Sequence, residues 1–279
     1  MISAHYLHYQ SHELFSLYRY NNKDTLCVFV HGLGDSHLNY QFLLHETALH
    51  QYDIFIPDLI NHGRSSHTAI SHYELVVHCL EAQIKPLLAH YQSVCFIPHS
   101  IAGIAITKLY QRLSKHEQQK CSIFALETSI TQHGSFLTKN LDESLASGIP
   151  LSNWFEDFCQ KNYSLGMDAI YLRSYFCALQ LCDKRAFKTL ALETRKIATF
   201  ENKATFTNTA GLAYSELSIP KIYCYADKGQ QLPSLPFLKQ NHLKAISIDA
   251  KSHWVLQENP TDTLSALTQF IQKAATGTQ

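Results

Sequence analysis

The chain has 279 residues, of which 46% are hydrophobic and 16% are charged, a composition typical of a folded protein rather than a disordered one. Its 23 Lys and Arg residues balance its 23 Asp and Glu residues, so the formal net charge is zero and no nucleic-acid or anionic-membrane partner is indicated. The length predicts one α/β domain with an insertion, or two small domains.

The N-terminal segment is polar and lacks the basic and apolar regions of a secretory signal, and no apolar run is long enough to span a bilayer. The eight cysteines form no CxxC pair, which favours a reducing, cytoplasmic location over a disulfide framework. His45 and His50 lack the i, i+4 spacing of a zinc-protease helix. We therefore expect neither a metal site nor a cofactor.

Short apolar runs alternate with helical patterns along the chain, which predicts a mostly parallel sheet with helices on both faces. The first twenty residues predict a hairpin at a sheet edge. The strands predicted next are Thr25–Val30, Asp53–Pro57, Ser93–Ile97, Ser122–Leu126, Lys221–Ala226 and Ala245–Ile248.

The helices predicted between these strands are marked by periodicity and by capping residues. A capping box of Ser71 and Glu74 predicts the start of one helix, which is expected to kink at Pro86 and to end near Tyr91. The other predicted helices are Leu38–His50, Ile101–Leu113, and a last one from Asn259-Pro260 to Gln272.

One stretch, from about Thr131 to Leu217, carries helical patterns without a good strand. It is rich in aromatic residues, namely Trp154, Phe155, Phe158, Tyr163, Tyr171, Tyr175 and Phe176. We interpret it as a helical lid inserted over the strand ends, where α/β sheets bind ligands. The predicted domains are a core of residues 1–130 and 218–279 and a lid of residues 131–217.

Ser100 stands between a predicted strand, Ser93–Ile97, and a predicted helix. This placement has the outline of a nucleophile elbow, a strained strand-to-helix turn that holds a serine hydroxyl clear of the sheet. The usual elbow has glycine two residues before and two residues after the serine. This chain has Pro98 and Ala102 at those positions.

Four motifs, in order along nearly the whole chain, resemble those of the α/β-hydrolase family. They are His31-Gly32-Leu33-Gly34, Asp58 through Ser65, Pro98 through Gly103, and Ser252-His253-Trp254 followed by Glu258-Asn259-Pro260. The segment Asn61-His62-Gly63 is similar to the serine esterase branch with a helical lid.

This resemblance implies a hydrolase that cleaves carboxylic esters or thioesters through an acyl-enzyme on Ser100. It implies His253 as the general base and the backbone N–H groups of Leu33 and Ile101 as the oxyanion hole. It also implies that four further residues lie beside the substrate, namely Gly32, His31, His99 and Trp254.

Two carboxylates are candidates for the acid that orients His253. Most of the family places this acid after the strand Lys221–Ala226, where this chain has Gly229 at the usual position and Asp227 two residues earlier. Some members place it after the strand that here is Ser122–Leu126, where Glu127 stands in a similar segment. Glu127 is the favoured acid, and Asp227 is the alternative.

The aromatic lid predicts an apolar pocket for a small-molecule ester or thioester. A basic stripe could instead receive an acyl carrier protein, as in the carboxylesterases of biotin synthesis that this chain resembles. The stripe comprises Lys184, Arg185, Lys188, Arg195 and Lys196, with Asp183, Glu193 and Glu201 interspersed. A non-catalytic binding protein with the same fold is the remaining alternative.

Overall fold

A computed structural model describes residues 1–68, 71–131, 136–198, 209–230 and 232–275. Within these residues, eight strands form one sheet in the order β1-β2-β4-β3-β5-β6-β7-β8. The strands are β1 Ile2–Tyr9, β2 His12–Arg19, β3 Thr25–Val30, β4 Asp53–Pro57, β5 Ser93–Pro98, β6 Cys121–Leu126, β7 Lys221–Ala226 and β8 Ala245–Ile248. The pairings of β2 with β1 and β4 are antiparallel, and all other pairings are parallel.

The helices of the described residues surround this sheet. They are α1 Tyr73–Leu88, α2 Ala102–Arg112, α3 Lys115–Gln119, α4 Phe136–Ala146, α5 Leu151–Leu165, α6 Ile170–Gln180, α7 Lys184–Ala198, α8 Thr209–Ser215, α9 Leu235–Gln240, α10 Val255–Glu258 and α11 Pro260–Ala275. None of them is both long enough and apolar enough to cross a membrane. The elements described between β6 and β7, α4 to α8, are all helical.

The predicted strands are confirmed to within one residue at either end, including the edge hairpin β1–β2. Strands β3 to β6 are buried along almost their whole length, because helices cover both faces of the sheet. One face packs against α1 and α2, and the other packs against α11 and the segment between β3 and β4. This burial explains why these strands appear in the sequence as continuous apolar runs.

The prediction of an α-helix over Leu38–His50 is wrong. The structure has three short 3₁₀ turns there, at His37–Asn39, Gln41–His45 and Thr47–Leu49. The buried guanidinium of Arg19 donates hydrogen bonds to four backbone carbonyls of this region, those of Leu43, Leu44, Leu49 and Tyr52. In a continuous α-helix these carbonyls would point along the helix axis and accept hydrogen bonds from N–H groups of the helix rather than from Arg19. The buried Arg19 side chain therefore favours three short 3₁₀ turns over one continuous α-helix.

The predicted capping box of Ser71 and Glu74 is also wrong. Helix α1 begins at Tyr73, and its N-cap is His72, whose Nδ1 accepts a hydrogen bond from the N–H of Leu75 at 3.2 Å. The N–H groups of Ser71 and Tyr73 donate instead to side chains of α7, to Thr189 at 3.1 Å and Glu193 at 2.8 Å. Contacts with a distant helix thus replace the local cap.

Candidate active site

Ser100 occupies the tight turn between β5 and α2. Its φ of 55° lies in the left-handed region that non-glycine residues rarely adopt. The turn is held by hydrogen bonds from the N–H of Ser100 to the carbonyl of Leu126 at 3.1 Å, and from the N–H of Ser129 to the carbonyl of Ser100 at 3.0 Å. A strained residue fixed in this way is the geometry of a nucleophile elbow.

The close packing of this elbow is provided by glycines outside the two usual positions. A Cβ on Gly32 would lie 3.0 Å from Cβ of Ser100, and one on Gly103 would lie 2.5 Å from Cβ of Thr128. Gly103 thus lets the first turn of α2 approach Thr128 closely. The neighbouring Ala102 is fully buried. Pro98 is the last residue of β5, where the ladder ends and a missing N–H is tolerated.

The side chains of His253 and Glu127 contact each other, and His253 lines the same cavity as Ser100. Nδ1 of His253 lies 3.0 Å from Oε2 of Glu127, and the two side chains are 8% and 0% exposed. The other carboxylate oxygen, Oε1, accepts a hydrogen bond from the N–H of Ala226 at 2.8 Å. These contacts orient the imidazole, and they leave its second nitrogen available for chemistry.

Asp227, the alternative acid, lies elsewhere. Its side chain is exposed, and its Oδ1 accepts a hydrogen bond from the N–H of Ala250 at 3.3 Å. A Cβ on Gly229, the usual position of the acid, would lie 3.3 Å from Oε1 of Glu127. The Glu127 carboxylate therefore reaches the region that an acid after β7 would occupy.

Burial disfavours charge on both members of the pair. It lowers the pKa of His253 from its ordinary 6.5 to about 4. Burial also raises the pKa of Glu127, and the hydrogen bonds that its carboxylate accepts from the N–H of Ala226 and from Nδ1 of His253 oppose this rise. At neutral pH the imidazole is therefore uncharged and can accept a proton. The hydroxyl of Ser100 donates no hydrogen bond to His253 within the described ranges, as is common for catalytic contacts without substrate.

Two backbone N–H groups next to Ser100 are free. In the described part of the chain, neither the N–H of Leu33 nor that of Ile101 donates a hydrogen bond. Both residues line the same cavity as Ser100. Ile101 is also the N-cap of α2, where the helix dipole favours negative charge. Free backbone donors at one cavity are the kind of group that an oxyanion requires.

The structure places His31 behind the loop rather than beside the cavity. Its Nδ1 donates to the carbonyl of Gly32 at 2.8 Å, and its Nε2 accepts from the N–H of Leu59 at 3.0 Å. These two bonds require the neutral imidazole, in agreement with burial, which lowers the pKa of His31 to about 4. His31 thus supports the loop that carries Gly32 and Leu33.

His99 lines the cavity beside Ser100 and contacts the loop of His253. Its Nε2 donates to the backbone carbonyl of His253 at 2.9 Å, and the two rings lie 4.6 Å apart. This hydrogen bond ties the end of the strand before Ser100 to the loop that carries His253. Trp254, which also lines the cavity, packs 6.3 Å from the ring of His99.

The cavity above Ser100 has a volume of about 260 Å³. Helices α4, α5 and α6 supply most of its apolar lining, with Phe136, Leu137, Phe158, Leu165, Leu172 and Tyr175. The sequence patterns did not single out Asp35, a buried carboxyl that also lines the cavity and whose pKa burial raises to about 7. In the sequence, its position directly after the Gly32–Gly34 turn could have marked Asp35 as a residue of the cavity.

Comparison with known proteins agrees with this fold. The family model described as "Alpha/beta hydrolase family" matches residues 27–267. The chain therefore belongs to the α/β-hydrolase family. A search of curated protein sequences gave no match.

Solved structures of esterases and a thioesterase share the fold. A protein of Burkholderia cenocepacia described as a candidate aryl esterase has a TM-score of 0.73 at 16% identity, with 98% of this chain and 100% of that chain covered. A carboxylesterase of Nitrososphaera gargenis has a TM-score of 0.70 at 11% identity, with 98% and 99% covered. The thioesterase domain of the curacin biosynthetic pathway has a TM-score of 0.59 at 17% identity, with 98% and 99% covered. At these identities the likeness is one of fold alone.

Proposed function

We propose that this chain is a serine hydrolase that cleaves carboxylic esters or thioesters, with Ser100 as nucleophile, His253 as general base and Glu127 as the acid. The observation that carries the proposal is the 3.0 Å contact between His253 and Glu127, in a site that also holds the strained Ser100. The free N–H groups of Leu33 and Ile101 support it, because acyl transfer passes through an oxyanion that needs such donors.

In this mechanism a rotation of the Ser100 side chain brings Oγ to Nε2 of His253. Oγ attacks the substrate carbonyl carbon while Nε2 takes the hydroxyl proton, and the resulting oxyanion is held by the N–H groups of Leu33 and Ile101. Collapse of this intermediate expels the alcohol or thiol, which receives the proton from His253, and leaves an acyl-enzyme. Water, deprotonated by the same imidazole, then attacks the acyl-enzyme, and the carboxylic acid is released as the imidazole returns the proton to Oγ of Ser100. Glu127 stabilises the imidazolium that forms in each half-reaction.

The cavity sets the size of the acyl group. Its volume of about 260 Å³ and its apolar walls from α4, α5 and α6 suit a small or medium-sized acyl chain. In this proposal residues 131–217 form a lid over a core of residues 1–130 and 218–279. The lid excludes water and leaves the ester carbonyl within reach of Ser100.

A phosphonate probe directed at serine nucleophiles tests the proposal against the non-catalytic alternative. The wild type should be labelled at Ser100, and Ser100→Ala should lose both labelling and turnover of a p-nitrophenyl ester. Ser252→Ala is the matched control, because Ser252 lines the same cavity, and it should still be labelled. A wild type that is neither labelled nor active contradicts the proposal and favours the binding protein.

An acyl carrier protein as substrate carrier stays a hypothesis. Arg185 of the basic stripe pairs with Asp183 at 3.1 Å, and none of the stripe residues lines the cavity. No observation favours the carrier over a free small-molecule substrate, and the proposal is limited to the latter.

A further inference from the structure

We propose that Tyr175 of α6 is a positioning residue that holds the oxyanion loop, Gly32–Asp35, in its working conformation. This inference rests on the proposed function. It concerns a lid residue whose hydroxyl contacts the loop. Its role is to act through the backbone of Leu33 on the developing oxyanion.

The hydroxyl of Tyr175 donates a hydrogen bond to the backbone carbonyl of Leu33 at 3.0 Å. Tyr175 is only 2% exposed, so water does not compete for this carbonyl. The carbonyl belongs to the peptide that directly follows the candidate oxyanion donor, the N–H of Leu33. Both groups are attached to one Cα, so a hydrogen bond that anchors the carbonyl also holds the backbone of Leu33, and with it the N–H, in place.

This restraint matters because the next residue is a glycine. Gly34 has a φ of +72°, and a glycine at this point leaves the loop backbone more conformational freedom than another residue would. A Cβ on Gly34 would lie 2.6 Å from Leu179 of α6 and 2.9 Å from Phe187 of α7. The loop backbone is thus packed directly against the lid helices. The hydroxyl of Tyr175 adds a polar contact that holds the Leu33 backbone in place.

Tyr175 also contacts the other side of the site. Its ring lies 4.7 Å from the ring of Trp254, which directly follows His253. One side chain of α6 therefore touches the oxyanion loop and the neighbour of the general base. The docking of α6 on the core is thereby coupled to the geometry of the reacting groups.

Loss of the Tyr175 hydroxyl should affect the transition state more than substrate binding. Without it the Leu33 carbonyl is buried and unsatisfied, and a shift of the loop backbone becomes the way to reach another partner. A misdirected N–H weakens a hydrogen bond that reaches full strength only when charge develops on the substrate oxygen. The expected signature is a lower kcat with an almost unchanged KM.

The test compares Tyr175→Phe with Tyr214→Phe. Tyr214 is an equally buried tyrosine of α8 whose hydroxyl has no hydrogen-bond partner in the described residues. Tyr175→Phe should lower kcat by roughly 10- to 100-fold, less than the loss of a whole oxyanion donor, and should change KM by less than about two-fold. Tyr214→Phe should leave both constants unchanged. Titration to completion with the phosphonate probe corrects kcat for any protein that has not folded.

A second readout separates positioning from a general structural effect. The affinity for a trifluoromethyl ketone, which forms a tetrahedral oxyanion adduct with the serine, should fall in Tyr175→Phe by the same factor as kcat/KM. An unchanged kcat, or a change confined to KM, overturns the inference. The proposed function fails separately, because its failure would appear as an inactive, unlabelled wild type.

Discussion

Nδ1 of His253 lies 3.0 Å from Oε2 of Glu127, although 126 positions separate the two residues in the chain. Glu127 follows β6, whereas most of the family places the acid after β7, which is the next strand of the sheet. Because β6 and β7 pair in parallel, with Leu126 opposite Cys224, their ends lie side by side. A glutamate on one strand end can therefore reach the space that an acid on the next would fill, and Gly229 leaves that space open.

Glu127→Gln should reduce kcat by roughly 100- to 10,000-fold, because the amide removes the charge that stabilises the imidazolium. Asp227→Asn is the matched change at the alternative acid. It should alter kcat by less than about two-fold, since the Asp227 side chain is exposed and contacts the backbone of Ala250. Steady-state kinetics on a p-nitrophenyl ester measure both. An Asp227→Asn variant with little activity, together with a fully active Glu127→Gln variant, would show that Asp227 and not Glu127 is the acid.

The acidic limb of the kcat/KM profile should lie below pH 6.5. The base must be neutral to act, and burial lowers the pKa of His253 to about 4. Acidification therefore protonates this imidazole later than an ordinary one, and activity should persist to about pH 5. Initial rates between pH 4 and pH 8, taken where the fold is intact by circular dichroism, test this. A limb centred at or above pH 6.5 would contradict the prediction.

Stability should fall as the pH drops from 6.5 towards 5. Burial lowers the pKa of four histidines, His31, His62, His99 and His253. Below pH 6.5 the unfolded chain protonates them while the folded chain does not, which favours unfolding. The raised pKa of Asp35 acts in the opposite direction, because this carboxyl holds a proton in the folded state. A net excess of about three protons is reached on the unfolded chain near pH 5.

For each proton that the unfolded chain binds in excess of the folded chain, the free energy of unfolding should fall by roughly 1 to 2 kcal/mol as the pH drops by one unit. Urea unfolding curves at several pH values measure the slope. His62→Asn is the control, because it removes one buried histidine that does not line the cavity, and it should make the slope shallower by about one proton. A stability that stays constant or rises between pH 6.5 and pH 5 would exclude this linkage.

Gly32→Ala should lower kcat/KM by at least about ten-fold. The added Cβ would lie 3.0 Å from Cβ of Ser100 and 3.2 Å from Nδ1 of His99, so the nucleophile or the loop must move. Gly148→Ala is the comparison. Gly148 has a φ of +88° and no atom within 4 Å of the added Cβ, so this change should cost about 1 kcal/mol of stability without affecting kinetics. Equal activity of Gly32→Ala and wild type would show that the close approach is not required.

The sequence patterns located the strands well and two local features poorly. The buried parallel strands, such as β3 and β5, are continuous apolar runs whose signal is contained in a few adjacent residues. The expected helix Leu38–His50 and the expected cap at Ser71 failed because distant side chains decide both. Arg19 donates hydrogen bonds to backbone carbonyls of the first segment. Glu193 of α7 accepts a hydrogen bond from the N–H of Tyr73, the first residue of α1.

The sequence by itself determined that Ser100 stands at a strand-to-helix turn and that His253 follows the last strand. Both follow from local patterns of burial and periodicity, which a short stretch of chain contains. Only the tertiary structure decided that Glu127 rather than Asp227 lies against His253, and that Tyr175 reaches the carbonyl of Leu33. Those contacts depend on the order of strands in the sheet and on the docking of α6. Interactions between residues far apart in the chain set both, and no local pattern encodes them.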